Sequence, residues 1–286
     1  VDRKHYGAVS VISFWLLAAV SVAAGFVGAM SGMGGGIVLI PVLTFLGVDI
    51  KHAIAISIVS VIATSSGAAS AYVREHITNL KIGMFLEMFT ILGALTGASI
   101  TLVSAQRPLV ILFGIVLLAS WATLFVRRQE DYQPPTEQDG VSRWLEFHGS
   151  YYDQAVGQEI EYKGVRAYIG VPCIFGAGLI AGLLGIGAGA LKVLVLDLGM
   201  RLPPKVSTTT SNLIIGVTAL AGTSVYLAAG LIDPGLVAPV MIGVVTGALI
   251  GTRLLVRLSN QAVREFFLIV LLALGVEMLV RGIRGG

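Results

Sequence analysis

The chain has 286 residues, of which 56% are hydrophobic and only 12% charged; it carries 36 glycines and a net charge of +3, and its mean hydropathy is +0.89. A water-facing surface of this size needs roughly a quarter of its residues charged, so the composition excludes a soluble enzyme. The small net charge, with no Lys/Arg run longer than Arg127-Arg128, excludes nucleic acid as a partner, and the single Cys173 excludes an internal disulfide and a cysteine-based zinc site.

A bilayer core about 30 Å thick is matched by about 20 helical residues. In chain order, apolar runs predict spans near 9–30, 53–73, 82–103, 108–126, 166–186, 206–229, 235–256 and 263–281. The first follows Arg3-Lys4 but runs directly into more membrane-like sequence, so we read it as an uncleaved span rather than a signal peptide. Two further apolar pieces, 37–47 and 190–199, follow glycine clusters and as helices would cover only about half the membrane. The polar stretch 127–165 reads as a water-exposed, loop-like connector, with turns at Pro134-Pro135 and Asp139-Gly140. Its Trp144, Phe147, Tyr151 and Tyr152 suit a segment resting on the membrane interface or on another subunit, which leaves a homodimer open. The expected organisation is a first transmembrane repeat over 1–126, a cytoplasmic connector over 127–165 and a second repeat over 166–286.

The repeat is visible in the residues. Gly25-Phe26-Val27-Gly28-Ala29-Met30-Ser31-Gly32-Met33-Gly34-Gly35-Gly36 aligns with Gly178-Leu179-Ile180-Ala181-Gly182-Leu183-Leu184-Gly185-Ile186-Gly187-Ala188-Gly189 at an offset of 153. The offset then becomes 154, pairing Ser57 with Ser211, Thr64 with Thr218, Tyr72 with Tyr226, Asn79 with Asp233, and Gly93…Gly97 with Gly247…Gly251. Repeated halves are common in secondary transporters, where interrupted helices meet near the midplane. Gly34, Gly35 and Gly36, and likewise Gly187, Ala188 and Gly189, would free backbone groups at membrane depth, which is tolerated only in a cavity or inside protein. The helix following each break points its positive dipole end there, a setting suited to an anion. Gly93…Gly97 and Gly247…Gly251 read instead as close helix packing. A chance GxGxxA match at Gly185 lacks the preceding strand of a dinucleotide site.

Polar residues inside the spans extend this reading. Ser57, Ser60 and Thr64 share a helical stripe, as do Ser211 and Thr218, and the cluster around Thr210, Ser211 and Asn212 could donate several hydrogen bonds to an oxyanion. Singly, such hydroxyls bond more often to their own helix. Lys192, opposite Leu39 in the repeat, is the candidate counter-charge, with snorkelling to water as the rival role. Glu87 and Glu277 lie within spans near their ends, where a structural place is expected before a proton-carrying one. Asn79 and Asp233 read as turn residues. Setting aside Lys192 and Arg253, eleven of the 19 Lys/Arg fall on the connector side and six opposite, whether each half has four spans or five. Only an odd number makes the repeats antiparallel.

The duplicated break, seen in Gly28 to Pro41 and in Gly182 to Lys192, resembles that of the TauE/SafE sulfite exporters, also described as toluene-sulfonate uptake permeases. Ala55-Ile56-Ser57, Thr210-Ser211 and the Gly-Ala-Leu-x-Gly spans support the resemblance, which covers nearly the whole chain apart from the connector. It implies a cytoplasmic-membrane permease for small sulfur-containing anions such as sulfite or organosulfonates, without an organic cofactor. The second copy departs from the pattern at Ala188, Lys192 and Leu194. The expectation is therefore an all-α polytopic membrane protein of two inverted repeats, a non-enzyme that moves a small anion by alternating access. An anion channel is the first rival. An intramembrane hydrolase fares worse, since there is no HExxH and no Ser-His arrangement fixed by spacing.

Overall fold

Apolar runs that lack water as a hydrogen-bonding partner satisfy their backbone internally, and every predicted span is helical in the computed structural model, which describes residues 14–31, 34–74, 78–126, 137–153, 157–255 and 260–284. The first half comprises α1 (Phe14–Ser31), the short α2 (Gly36–Phe45), α3 (Ile50–Arg74), α4 (Leu80–Val103) and α5 (Gln106–Val126). The second comprises α7 (Ala167–Leu184), the short α8 (Gly189–Leu194) continued by a π-helical turn over Val195–Gly199, α9 (Pro204–Ala228), α10 (Pro234–Leu255) and α11 (Asn260–Arg284). Five of these helices contain segments long and apolar enough to cross a membrane: Leu80–Val103, Gln106–Thr123, Ala167–Leu184, Pro204–Ala228 and Pro234–Gly251. The protein is an all-α, polytopic membrane protein. Arg3, Lys4, positions 9–13 of the first predicted span, Arg127-Arg128 and Pro134-Pro135 lie outside the described residues.

Glycine governs how the helices meet. α1 packs on α10 and α4 on α7, each pair joining an early helix of one half to one of the other half. A side chain on Gly93, Gly97, Gly178 or Gly182 would strike the backbone of the facing helix, and Gly25 and Gly247 are equally tight between α1 and α10. Within each pair the helices run parallel: Gly93 meets Phe175 to Leu179 and Gly97 meets Leu179 to Leu183, while Gly243 meets Ala18 to Val22 and Gly247 meets Val22 to Phe26. α3 packs on α9 and α5 on α11.

Two ends of the bundle follow from the loops. At the connector end Val165 N–H donates to Met200 O (3.0 Å) and Asn79 Nδ2 to the Tyr162 hydroxyl (2.9 Å). At the far end Arg107 Nε donates to Gly282 O (3.0 Å), and Gln106 hydrogen-bonds Asp49. α2 leads from its break to the far end, whereas α8 and its π turn lead from theirs to the connector end. Asn79 caps α4 by accepting from Ile82 N–H (3.0 Å), and Asp233 accepts from Gly235 N–H (2.8 Å), the turn roles expected of both.

The connector has more structure than its composition predicts. It contains α6 (Gly140–Trp144) and an antiparallel hairpin, β1 (His148–Asp153) with β2 (Gln158–Lys163), in which Tyr151 faces Ile160 and Gly149 faces Tyr162. The alternation in Gln158-Glu159-Ile160-Glu161-Tyr162-Lys163 carries that signal, but a hairpin this short needs a surface to bury one face. The membrane bundle supplies it: Phe147, Tyr151 and Tyr162 are buried in one cluster with Ile82, Leu86, Met200 and Leu202, while Trp144 and Tyr152 face outward.

Asp139 clasps the two ends of this cap, accepting from Ser142 N–H (3.1 Å) and from Arg166 N–H (2.5 Å). Burial acts to raise its pKa, but hydrogen bonds from Ser142 and from the Arg166 amide outweigh it and hold the carboxyl below its ordinary value of 3.8. A depressed folded-state pKa contributes stability above the unfolded value and loses it as pH falls through the folded one, so the clasp holds at neutral pH and opens only in acid. Asp139→Ala should cost the cap about 1 kcal/mol, seen as faster amide exchange over 138–166 with little change in the helices around it.

Candidate functional site

The two glycine breaks meet inside the bundle. Gly34 adopts φ +82° with its Cα against Val61, and Gly35 starts α2 beside Ala24. Gly36 lies so close to Ser57 Oγ and to the second break that a Cβ there would stand 2.8 Å from Gly185 O. Ser57 Oγ donates to that same carbonyl at 2.9 Å, so a hydroxyl of the first half closes on the backbone of the second. The second break passes through Gly187 at φ +69° and Ala188 at φ +47°; for alanine this conformation costs about 1–2 kcal/mol.

The carbonyls exposed where α7 ends are taken by side chains from three helices. Tyr226 OH donates to Gly182 O (2.7 Å), Thr101 Oγ1 to Leu183 O (2.7 Å) and Ser57 to Gly185 O, while Ser211 Oγ reaches Gly189 O at 3.4 Å. Among the described residues, the amides of Ile186, Gly187 and Ala188 make no backbone hydrogen bond. With the Gly182, Leu183 and Gly185 carbonyls capped, these amides are donors that a negative guest could use.

Lys192 lies one turn into α8 and is fully buried. Its Nζ donates to Thr218 Oγ1 at 2.9 Å, and that hydroxyl lies 3.1 and 3.3 Å from the two Glu87 carboxylate oxygens. Thr90 Oγ1 also donates toward Glu87 Oε2 (3.2 Å). A buried lysine thus faces a buried glutamate from the other half through a shared threonine, which offsets part of the cost of taking each charge out of water. Lys192 does not snorkel.

Other sequence-predicted site residues are placed apart from this centre. Thr64 Oγ1 bonds back to Ser60 O (3.3 Å) and Val61 O (3.1 Å) of its own helix. Thr210 Oγ1 accepts from Asn79 N–H (3.2 Å) toward the connector end, and Asn212, two residues on, is buried. Thr90 and Thr101 carry no signal in the sequence, Tyr226 appears there only as the repeat partner of Tyr72, and Glu87 only as an acid near a span end. A signal for Glu87 existed, since a lysine buried at membrane depth calls for an acid partner, but only the fold selects which acid. A hollow of about 270 Å³ lies elsewhere, at the far end among Asp49, Gln106, Arg107 and Arg281. Arg107 is engaged there in holding the Gly282 and Ile283 carbonyls at the end of α11.

A bundle of membrane-length helices in which two broken helices meet beside a buried Lys–Glu pair fits the class of membrane transporters. Residues 17–278 match the family described as Sulfite exporter TauE/SafE, and the chain belongs to that family. It is 26% identical over 281 residues to "Probable membrane transporter protein YunE" of Bacillus subtilis (strain 168), covering 95% of this chain and 99% of that one. A "Probable membrane transporter protein" of Xylella fastidiosa (strain 9a5c) is 26% identical over 261 residues, 90% of this chain and 91% of its own. "Probable membrane transporter protein YdhB" of Bacillus subtilis (strain 168) is 26% identical over 234 residues, 80% and 83% of the two chains. No solved structure is significantly similar to the chain.

Gly36 and Gly176 give a matched test of the closure between the breaks. Gly36→Ala forces a methyl against Ser57 and Gly185 and should lower the unfolding temperature of the detergent-solubilised protein, whereas a Cβ on Gly176 meets nothing within 4 Å. Gly176→Ala should leave stability unchanged or raise it by up to about 1 kcal/mol.

Proposed function

We propose that this transporter carries a small sulfur-containing anion, sulfite or an organosulfonate, across the cytoplasmic membrane by alternating access between two inverted copies of one unit. The observation that carries this reading is the second break: Tyr226, Thr101 and Ser57 cap three of its carbonyls, the amides of Ile186, Gly187 and Ala188 make no backbone hydrogen bond among the described residues, and the fully buried Lys192 stands one turn away. Gly34, Gly35, Gly36 and Ser57 from one side, with Gly187, Ala188, Gly189, Lys192 and Ser211 from the other, supply the groups that would surround the anion. The family match and the transporter names of the relatives support a permease over an enzyme.

The inverted architecture draws support from packing. The offset of 153 to 154 carries α1 onto α7 and α4 onto α10, so the α1·α10 and α7·α4 contacts exchange with each other, and α3·α9 and α5·α11 map onto themselves. α1 runs parallel to α10 toward the connector end, and α7 parallel to α4 away from it, as antiparallel copies require. The breaks are packed against each other, so an anion gains its place only when they part. That requirement favours a moving carrier over an open pore.

Counterflow separates the two. In proteoliposomes, trans anion should accelerate entry of labelled sulfite or methanesulfonate with saturation; uptake that trans anion does not stimulate identifies a channel, and no uptake of either removes the anion reading. Lys192→Ala should lower entry about tenfold or more and also destabilise the protein by about 3–5 kcal/mol, because it strands the Glu87 charge. Lys192→Ala combined with Glu87→Gln should recover most of that stability, and counterflow well below that of Glu87→Gln alone marks a binding role for Lys192, whereas counterflow equal to it marks a structural one.

A further inference from the structure

We propose that Glu87 is the proton-binding member of the site, so that one proton travels with each monovalent anion. The inference rests on the anion-carrier reading and adds the coupling ion. In the structure Lys192 is balanced by Glu87 through the Thr218 hydroxyl, both charged residues being buried with 0% and 8% exposure. An anion arriving beside Lys192 while Glu87 stays ionised would leave a net negative charge in a low-dielectric interior, which is costly. If Glu87 takes up a proton, Lys192 and the anion form the neutral pair instead. The proton enters as an O–H bond on a Glu87 carboxylate oxygen, Lys192 keeps its three protons, and the anion enters intact.

Thr218 is built to relay this exchange. Its hydroxyl has one hydrogen, yet Ile214 O (2.6 Å) and the Glu87 carboxylate (3.1 Å) both lie within reach as acceptors, while Lys192 donates to its oxygen. With Glu87 ionised the hydroxyl can point at the carboxylate; with Glu87 protonated it can turn to its own helix and leave the ammonium to the anion. Other ionisable groups on the elements around Glu87 are placed differently. Lys81 pairs with Glu146 at the connector surface, Lys205 is exposed at the start of α9, Tyr226 is bonded to Gly182 O, Asp197 is half-buried in the π turn, and Tyr168 and Cys173 on α7 are exposed. Tyr162 in the hairpin is bonded to Asn79, and α7 carries no Asp, Glu, Lys, Arg or His. Lys192 is the charge that Glu87 answers.

The network joins Glu87 of the first half to Lys192 and Thr218 of the second and has no second copy: their repeat positions are Met241, Leu39 and Thr64, so the expected ratio is about one proton per anion.

The test uses the full chain in liposomes. Counterflow of labelled sulfite and methanesulfonate at equal pH on both sides needs no net proton movement; if neither occurs, the anion reading fails and this inference with it. For an anion that does counterflow, infrared difference spectra should show a protonated-carboxyl C=O band appearing on anion addition to the wild type, retained in Glu87→Asp and absent in Glu87→Gln. For methanesulfonate, whose charge does not titrate, an inside-alkaline gradient should drive accumulation of up to about tenfold per pH unit. Counterflow without the carboxyl band, or accumulation that ignores the pH gradient in the wild type, overturns the proposal whatever the variants do.

Discussion

Backbone interrupted inside an apolar bundle has to find its hydrogen bonds in protein, and the site is organised around that constraint. The end of α7 would otherwise leave several carbonyls bare where no water offsets them, each worth a few kcal/mol if orphaned. Three helices send Tyr226, Thr101 and Ser57 to those carbonyls, and in doing so they fix where α3, α4 and α9 stand relative to the break. The same contacts decide the chemistry. With three carbonyls capped, the amides of Ile186, Gly187 and Ala188 stand beside the buried Lys192, so the break and the lysine together set the polarity of the centre.

Glycine plays a second, separable part. The close approaches of α1 to α10 and of α4 to α7 bring backbones into contact without interlocking side chains, and they tie each half's first helix to the other half's fourth. The closest packing in the bundle is therefore between the two halves rather than within either, and Ser57 and Thr218 project from the α3·α9 contact between these crossed pairs.

The two halves are alike in path and unlike in charge. Leu39, Thr64 and Met241 occupy the places that Lys192, Thr218 and Glu87 fill on the other side. Thr64 accordingly bonds back to its own helix, while its counterpart Thr218 bridges two charges. The connector cap sits at the end toward which the charged half's short helix leads, held by Asn79, Tyr162 and Asp139. Asn79 joins the cap to α9 as well, through Thr210, so the polar network and the cap share the helices that hold them.

Much of this was written in the amino-acid order. Long apolar runs with few charges can only be spans, because their cost in water and their backbone demands in lipid leave no other solution, and the helices fall within a few residues of where those runs lie. Gly34–Gly36 and Gly187–Gly189 announced the breaks, and a lysine in the midst of an apolar run called for a polar or acidic partner. The acid that answers Lys192 lies 105 positions earlier, the carbonyls that Ser57 and Tyr226 cap lie on other helices, and the connector hairpin exists because the bundle end offers it an apolar seat. Local sequence determines which segments must leave water and where the backbone is interrupted; which distant groups then share the low-dielectric interior is decided only by packing, since one buried charge specifies the sign of its partner but not its address.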